Sequence, residues 1–340
     1  MRAPAQTPTG AGERSADLDI FKTLLVWGMI TAHCIQLLAF HPKPPSETIS
    51  VFVNLITFSG FMFAFGYGVG LSRRSKGWGQ RLWPVLLLLV STWVSELAFE
   101  LLVDKKPLTA DLLIPLFTLS RLYGWSEFLA SFTVLYLVIA VARPLLLAIG
   151  SSWLLLVAAI LACFASTFLV ISQDLPLLAT LVGTRNFASF PILPYLPWFL
   201  VGIAFARRPE LPHWLEWAVA AVGTGVFAYL VWRHGGELPE RFPPSIAWVA
   251  GAALPLLIYL VVARGLARLT VPTVLLQPGR HVLAALLLSN LMIFGLRWWQ
   301  GYRLGAWWWT PILALGLIAV VTVWCALLDW QKTRRPGRQG

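Results

Sequence analysis

The chain has 340 residues, 58% of them hydrophobic and only 12% charged, with a mean hydropathy of +0.74. A soluble domain carries about 25% charged residues, so the pair of soluble domains that length alone would suggest is excluded. A net charge of +11 and a pI near 10.1 would suit a nucleic-acid binder, but the basic residues lie in short stretches between apolar runs, so no nucleic-acid partner is expected.

The apolar runs are about twenty residues long, enough to cross a bilayer. Ten spans are predicted in chain order, at about 20–40, 49–71, 83–103, 126–147, 151–172, 191–207, 212–232, 245–263, 281–300 and 307–329. Seventeen mostly polar residues precede the first span without a small-residue cleavage pattern, so no cleavable signal peptide is expected. The stretch 108–122 is too short and interrupted to span, and reads as a re-entrant or interfacial segment. The sixth span carries Pro191, Pro194 and Pro197, which predict a short, broken or tilted helix. Eighteen Trp and twenty Phe fit aromatic belts at the two interfaces.

Placing the N-terminus inside puts sixteen basic residues in inside segments and nine in outside ones, with Lys22 completing the twenty-six. The positive-inside rule then sets both termini in the cytoplasm. The fold class is thus an all-α polytopic membrane bundle, with a cytoplasmic segment 1–17, a membrane domain 18–330 and a basic tail 331–340 that can touch anionic lipid. No internal repeat is visible. Cys34, Cys163 and Cys325 each lie in an apolar run without CxxC spacing, which suits small buried residues, not a disulfide framework or zinc site.

The first span holds the chemistry. His33 lies about thirteen residues inside it, roughly 20 Å from its cytoplasmic start at ~1.5 Å per residue. Ionisable groups are costly in a bilayer and mark functional sites. Glu96 in the third span reaches nearly the same height, Glu100 lies one turn further out, and Glu127 opens the fourth span beside Arg121. A histidine can serve as general base near neutral pH, and a carboxylate can hold its tautomer. A His33–Glu96 or His33–Glu127 pair would therefore deprotonate an alcohol; the plainer reading is an imidazole hydrogen-bonded between helices. At the cytoplasmic mouth, Arg14, Lys22, Arg73, Arg74, Lys76 and Arg81 could hold a phosphate-bearing donor, or simply signal topology. Asp19 is spaced to pair with Lys22. His41, His213, His234 and His281 fall in loops or at span ends. No metal-ligand spacing is present, and no metal is expected.

Lys22-x10-His33, preceded by Asp17-Leu18-Asp19, resembles the first span of the acyltransferase-3 family, whose hallmark is a basic residue, usually Arg, ten residues before a histidine. Phe58-Ser59-Gly60-Phe61, Gln80-Arg81-Leu82-Trp83-Pro84 and Trp198-Phe199-Leu200-Val201-Gly202 are similar to later segments of that family, in the same order. Two features depart from the pattern: Lys stands for Arg, and the late stretch ending Ser289-Asn290 has no histidine. No appended esterase-like domain is expected beyond the tenth span.

The resemblance implies an O-acyltransferase of a bacterial cytoplasmic (inner) membrane. It would move a short acyl group from a cytoplasmic acyl-CoA, acetyl-CoA foremost, to a hydroxyl of an exported glycan or glycolipid. His33 would be the base or acyl carrier, assisted by Glu96 or Glu127, while Arg14, Lys22 and Arg81 bind the donor's phosphates. Two other classes stay open: a transporter or flippase using the same polar pocket, and a structural membrane subunit.

Overall fold

A computed structural model describes residues 15–72, 77–169, 176–185, 189–300 and 308–333. Every named element is helical. In chain order they are α1 (Ala16–Leu38), α2 (Ser46–Leu71), α3 (Trp78–Leu102), α4 (Ala110–Thr118), α5 (Ser126–Ser151), α6 (Trp153–Ala165), α7 (Pro176–Leu181), α8 (Ile192–Arg207), α9 (Trp214–Arg233), α10 (Ile246–Gly251), α11 (Ala253–Leu266), α12 (Gln277–Arg280), α13 (Val282–Gln300) and α14 (Trp309–Thr333). Among the described residues, eight helical stretches are long and apolar enough to cross a membrane, with 246–266 counted as one. The fifth and sixth expected spans are shorter apolar helices, 153–168 and 192–207. At ~1.5 Å per residue, sixteen residues reach about 24 Å, less than a bilayer core. The 108–122 stretch contains only the nine-residue α4, too short to span, as expected.

The prolines of α8 do not break it. Pro191 precedes the first turn and Pro194 lies within it, where the missing N–H would have had no intrahelical partner; Pro197 is carried inside a continuous helix. Two glycines seat this helix. A Cβ on Gly202 would come 2.2 Å from the Phe63 carbonyl oxygen, and one on Gly66 would come 1.9 Å from that of Phe199. Small residues on both helices thus bring the backbones of α2 and α8 together, the close packing that holds helices where lipid supplies no hydrophobic drive.

The bundle is graded from a buried centre to an apolar outside. α1 and α2 form the middle, with Phe21, Leu25, Ile30, Ile56, Phe58 and Met62 almost wholly covered. α9 has a single buried residue, Ala220, and exposes Trp214, Val219, Val222, Tyr229 and Trp232. An apolar helix exposed nearly all round is stable only with lipid around it. Exposed tryptophans such as Trp78, Trp214, Trp232 and Trp330 mark helix ends, where their amphipathic rings suit the interface. The start of α1 meets α12, and α12 meets α14 near its end, so both ends of the described chain share one face. Arg143, Arg207, Arg208 and Arg264 lie on that same face, bonded to Ser72, Ser151 and Leu211.

Candidate active site

His33 is 7% exposed, and it faces protein, not lipid. Its Nδ1 lies 3.1 Å from Asn290 Oδ1 on α13. An amide oxygen only accepts, so Nδ1 carries the proton and Nε2 keeps its lone pair. Asn290 Nδ2 donates to Ser95 Oγ at 3.5 Å, and Ser95 Oγ donates to the Gly124 carbonyl at 3.1 Å. This relay ties the imidazole to α13, α3 and the turn before α5.

That turn is a strained one. Gly124 and Trp125 both have positive φ, +61° and +62°. Glycine adopts this freely, but a tryptophan there is uncommon and costs on the order of 1–3 kcal/mol. A Cβ on Gly124 would meet the Phe99 ring at 2.6 Å. The strain sets the Trp125 indole flat against the imidazole, with ring centroids 3.6 Å apart and planes within 1°. Phe294 also stacks on the indole, with ring centroids 5.4 Å apart. The rotation of His33 is therefore fixed from two directions, by a hydrogen bond and by a ring face.

The imidazole opens onto a cavity of about 40 Å³. This admits a few water-sized occupants. Its polar lining is His33, Asn54, Thr57, Glu127, Arg241 and Asn290. Arg241 comes from the loop between α9 and α10 and was not anticipated as a site residue. Its guanidinium carbon lies 4.7 Å from the Phe242 ring centre, 5.1 Å from Phe190 and 6.0 Å from Trp248. Nε is buried with no hydrogen-bond partner. Burial pushes the guanidinium below its ordinary range, while Tyr195 and Glu127 pull it back; arginine keeps its charge through such shifts.

A second cavity, about 350 Å³, lies toward the arginine-rich face between α1, α2, α3, α5 and α13. Lys22 and Arg280 sit in its lining beside apolar walls including Phe61, Phe65 and Tyr136. Phe128, Leu129 and Leu286 line both cavities, so they form the partition between them. Lys22 Nζ is 2.9 Å from Asp19, and Arg280 Nε is 3.1 Å from the same carboxylate. Asp329 accepts from Gln277 at 3.3 Å and lies 4.0 Å from Arg280. Gly279 lets α12 press onto α1: its N–H donates to Thr23 Oγ1 at 3.0 Å, and a Cβ would meet the Asp19 carbonyl at 2.0 Å.

The expected residues separate accordingly. Glu127 lines the His33 cavity, but the imidazole's hydrogen-bond partner is Asn290, not a glutamate. Glu96 is turned away: it accepts from Ser126 at 3.5 Å and lines a third cavity with Glu100, Lys106 and Arg121. Lys106 closes on Glu100 at 2.6 Å, which pushes the ammonium up. One residue earlier on α3, Ser95 points to the imidazole's side. Arg81 donates to the Ala140 carbonyl at 3.0 Å and lies over Trp78 at 5.4 Å; it does not line the Lys22 cavity. Arg14, Arg73, Arg74 and Lys76 lie outside the described residues. Among the described residues no cluster of His, Cys, Asp or Glu could hold a metal. The missed residues left unequal signals. Asn290 is an amide in an apolar span, visible in principle, whereas Arg241 looked like any loop arginine.

An imidazole with a fixed tautomer at a cavity between the helices defines a class of site suited to proton removal from a nucleophile within a polytopic bundle. Residues 14–235 match the family described as heparan-alpha-glucosaminide N-acetyltransferase, catalytic, and since this covers about two thirds of the chain, the chain belongs to that family. It is an integral membrane acyltransferase of the non-aminoacyl kind. No curated protein and no solved structure was found to match it. The resemblance to acyltransferase-3 is thereby corrected. Lysine at a membrane mouth and histidine three turns deeper share a face in any helix, so that spacing does not separate one membrane acyltransferase family from another.

Proposed function

We propose that the protein transfers an acetyl group from acetyl-CoA to a nucleophile on a glycan, first of all the amino group of an amino sugar. His33 Nε2 acts as the general base. The observation that carries this reading is the 3.1 Å contact between Nδ1 and Asn290 Oδ1, which leaves Nε2 free to accept a proton inside the cavity. The family description supplies the acetyl group and the sugar amine. A glycan hydroxyl, the acceptor expected from the sequence, would be deprotonated by the same nitrogen.

The donor enters from the arginine-rich face, which the distribution of basic residues assigns to the cytoplasm. Its acyl arm fills the 350 Å³ cavity, and Lys22 and Arg280 meet its phosphates at the mouth. Because both cations already share Asp19, the phosphate competes with that carboxylate, so donor affinity is moderate. Arg81, held at Ala140, is too committed to serve as a primary phosphate ligand, and Arg14, outside the described residues, is kept as a phosphate ligand on its sequence position alone. Phe128, Leu129 and Leu286 must part for the thioester to reach His33. Glu127 sets the charge of the reaction cavity with Arg241. Glu96 acts at one remove, through Ser126 and the turn that carries Trp125. Residues 18–330 form the membrane acyltransferase domain, between the segment 1–17 and the tail 331–340, in the cytoplasmic membrane of a bacterium. The bilayer, the donor and the acceptor glycan are the partners.

The test uses purified protein in lipid nanodiscs with acetyl-CoA and glucosamine as the probe acceptor. Wild type should release CoA and add one acetyl group to the sugar, read by mass spectrometry. The reading is lost if His33→Ala stays folded and keeps full turnover.

A further inference from the structure

We infer that Arg241 is a catalytic residue of this site, holding the thioester carbonyl oxygen as negative charge develops on it. The inference rests on the reading of His33 as base. It goes beyond the matched family region, which ends at residue 235.

Arg241 is the one cation among the residues lining the His33 cavity. It is held there by the rings of Phe190, Phe242 and Trp248. Rings fix a guanidinium by its face and leave the N–H groups at its edge uncommitted. Its Nε is buried without a hydrogen-bond partner, and a buried donor left unpaired costs about 1–3 kcal/mol. Such a donor persists where a ligand completes it. Glu127 lines the same cavity but makes no ion pair with Arg241 within 4.0 Å among the described residues, so the acid does not supply that completion. The cavity thus has a proton acceptor on α1 and, on the opposite loop, a guanidinium whose buried Nε–H is unpaired, the two poles that acyl transfer needs.

The acceptor's N–H or O–H gives its proton to His33 Nε2 as its nitrogen or oxygen bonds to the thioester carbon. The carbonyl π electrons move to oxygen, where the Arg241 N–H groups hold the charge. When the carbonyl re-forms, the carbon–sulfur bond breaks and the leaving thiolate takes the proton from the imidazolium. His33 and Arg241 end as they began.

The experiment compares wild type, Arg241→Gln, Arg241→Lys and His33→Ala in nanodiscs with [1-¹³C]acetyl-CoA and glucosamine. Loss of one such donor elsewhere costs about 100-fold in kcat, so Arg241→Gln should lose about that much, with the KM for acetyl-CoA within roughly twofold of wild type. Arg241→Lys, which keeps the charge without the fork, should recover part of the loss. Infrared difference spectra should show the bound ¹³C carbonyl band lowered in wild type and returned toward its free position in Arg241→Gln. A purely structural arginine would move neither the band nor the split between kcat and KM. An Arg241→Gln protein with wild-type kcat beside an inactive His33→Ala overturns this inference and spares the base. An active His33→Ala overturns the base alone, and the carbonyl band then still decides on Arg241. Should Arg241→Gln not fold, Arg241→Lys carries the same test: an unshifted band and full kcat would sink the proposal.

Discussion

Lys22, Asp19, Arg280 and Asp329 satisfy one another at one end of α1, whereas eleven residues further on His33 Nε2 and Arg241 Nε face an opening with no side chain to complete them. The charges of the first cluster are paired with one another; the second carries the charge of Arg241 and leaves polar atoms unpaired. The sequence marks both the imidazole of His33 and the basic mouth around Lys22, and the structure separates their roles. Saturated charges fasten α12 and α14 to the start of α1. Unsaturated polar atoms, fixed in direction by a stacked ring and an amide, are what a reaction can use.

The strongest break of this comparison is His33→Ala. Loss of a general base lowers turnover about 10³-fold, and the folded fraction in size-exclusion chromatography should match wild type. The opposite end answers with stability instead. Asp19→Asn leaves Lys22 and Arg280 without their shared carboxylate. Breaking a fully buried pair costs about 3–5 kcal/mol, and these cations are about one-fifth exposed, so about 2 kcal/mol is expected. Thermal unfolding in detergent checks it; an Asp19→Asn protein as stable as wild type but catalytically dead would mean that this end carries chemistry after all. Asn290→Ala should sharpen the contrast. It removes the group that fixes the imidazole tautomer, and a hydrogen bond worth about 1.4 kcal/mol in the transition state corresponds to roughly tenfold in kcat. If kcat held while the melting temperature dropped sharply, Asn290 would be mere glue between α13 and α1.

The bundle was legible because span length is a one-dimensional quantity. Twenty apolar residues must cross, and the eight long stretches and two shorter helices lie where the ten runs predict. His33 was legible because an ionisable group in a span is costly whatever surrounds it. Partnership was not legible, because depth along a helix says nothing of direction around it. Glu96 has the right height, yet one residue is 100° of rotation, and Ser95 takes the place expected of the acid. The stretch ending in Ser289-Asn290 lacks a histidine, and its asparagine makes the contact with His33. Arg241 carries the same charge and loop position as a topology signal, and only its burial against three rings distinguishes it. The segments around Gly60 and Gly202 looked like family marks, but their observable work is packing: a Cβ on Gly60 would strike Leu25 at 2.8 Å, and Gly202 seats α8 on α2.

The smallest expected effect tests whether the two ends communicate. Phe128 lines both cavities and packs on Phe132 at 4.9 Å, and on Phe58 and Phe61 at 5.5 Å. Removing its ring should widen the passage without touching His33, Asn290 or Arg241. A closed site keeps water from a reactive thioester, so Phe128→Ala should hydrolyse acetyl-CoA about threefold faster than wild type when no acceptor is present. Transfer to glucosamine should change less than hydrolysis, because base and carbonyl donor stay in place. The ratio of free acetate to acetylated sugar reads this directly and is insensitive to how much protein has folded. An unchanged ratio would mean that the thioester reaches the imidazole by another route, and that the paired cluster at Lys22 lies off the donor's path.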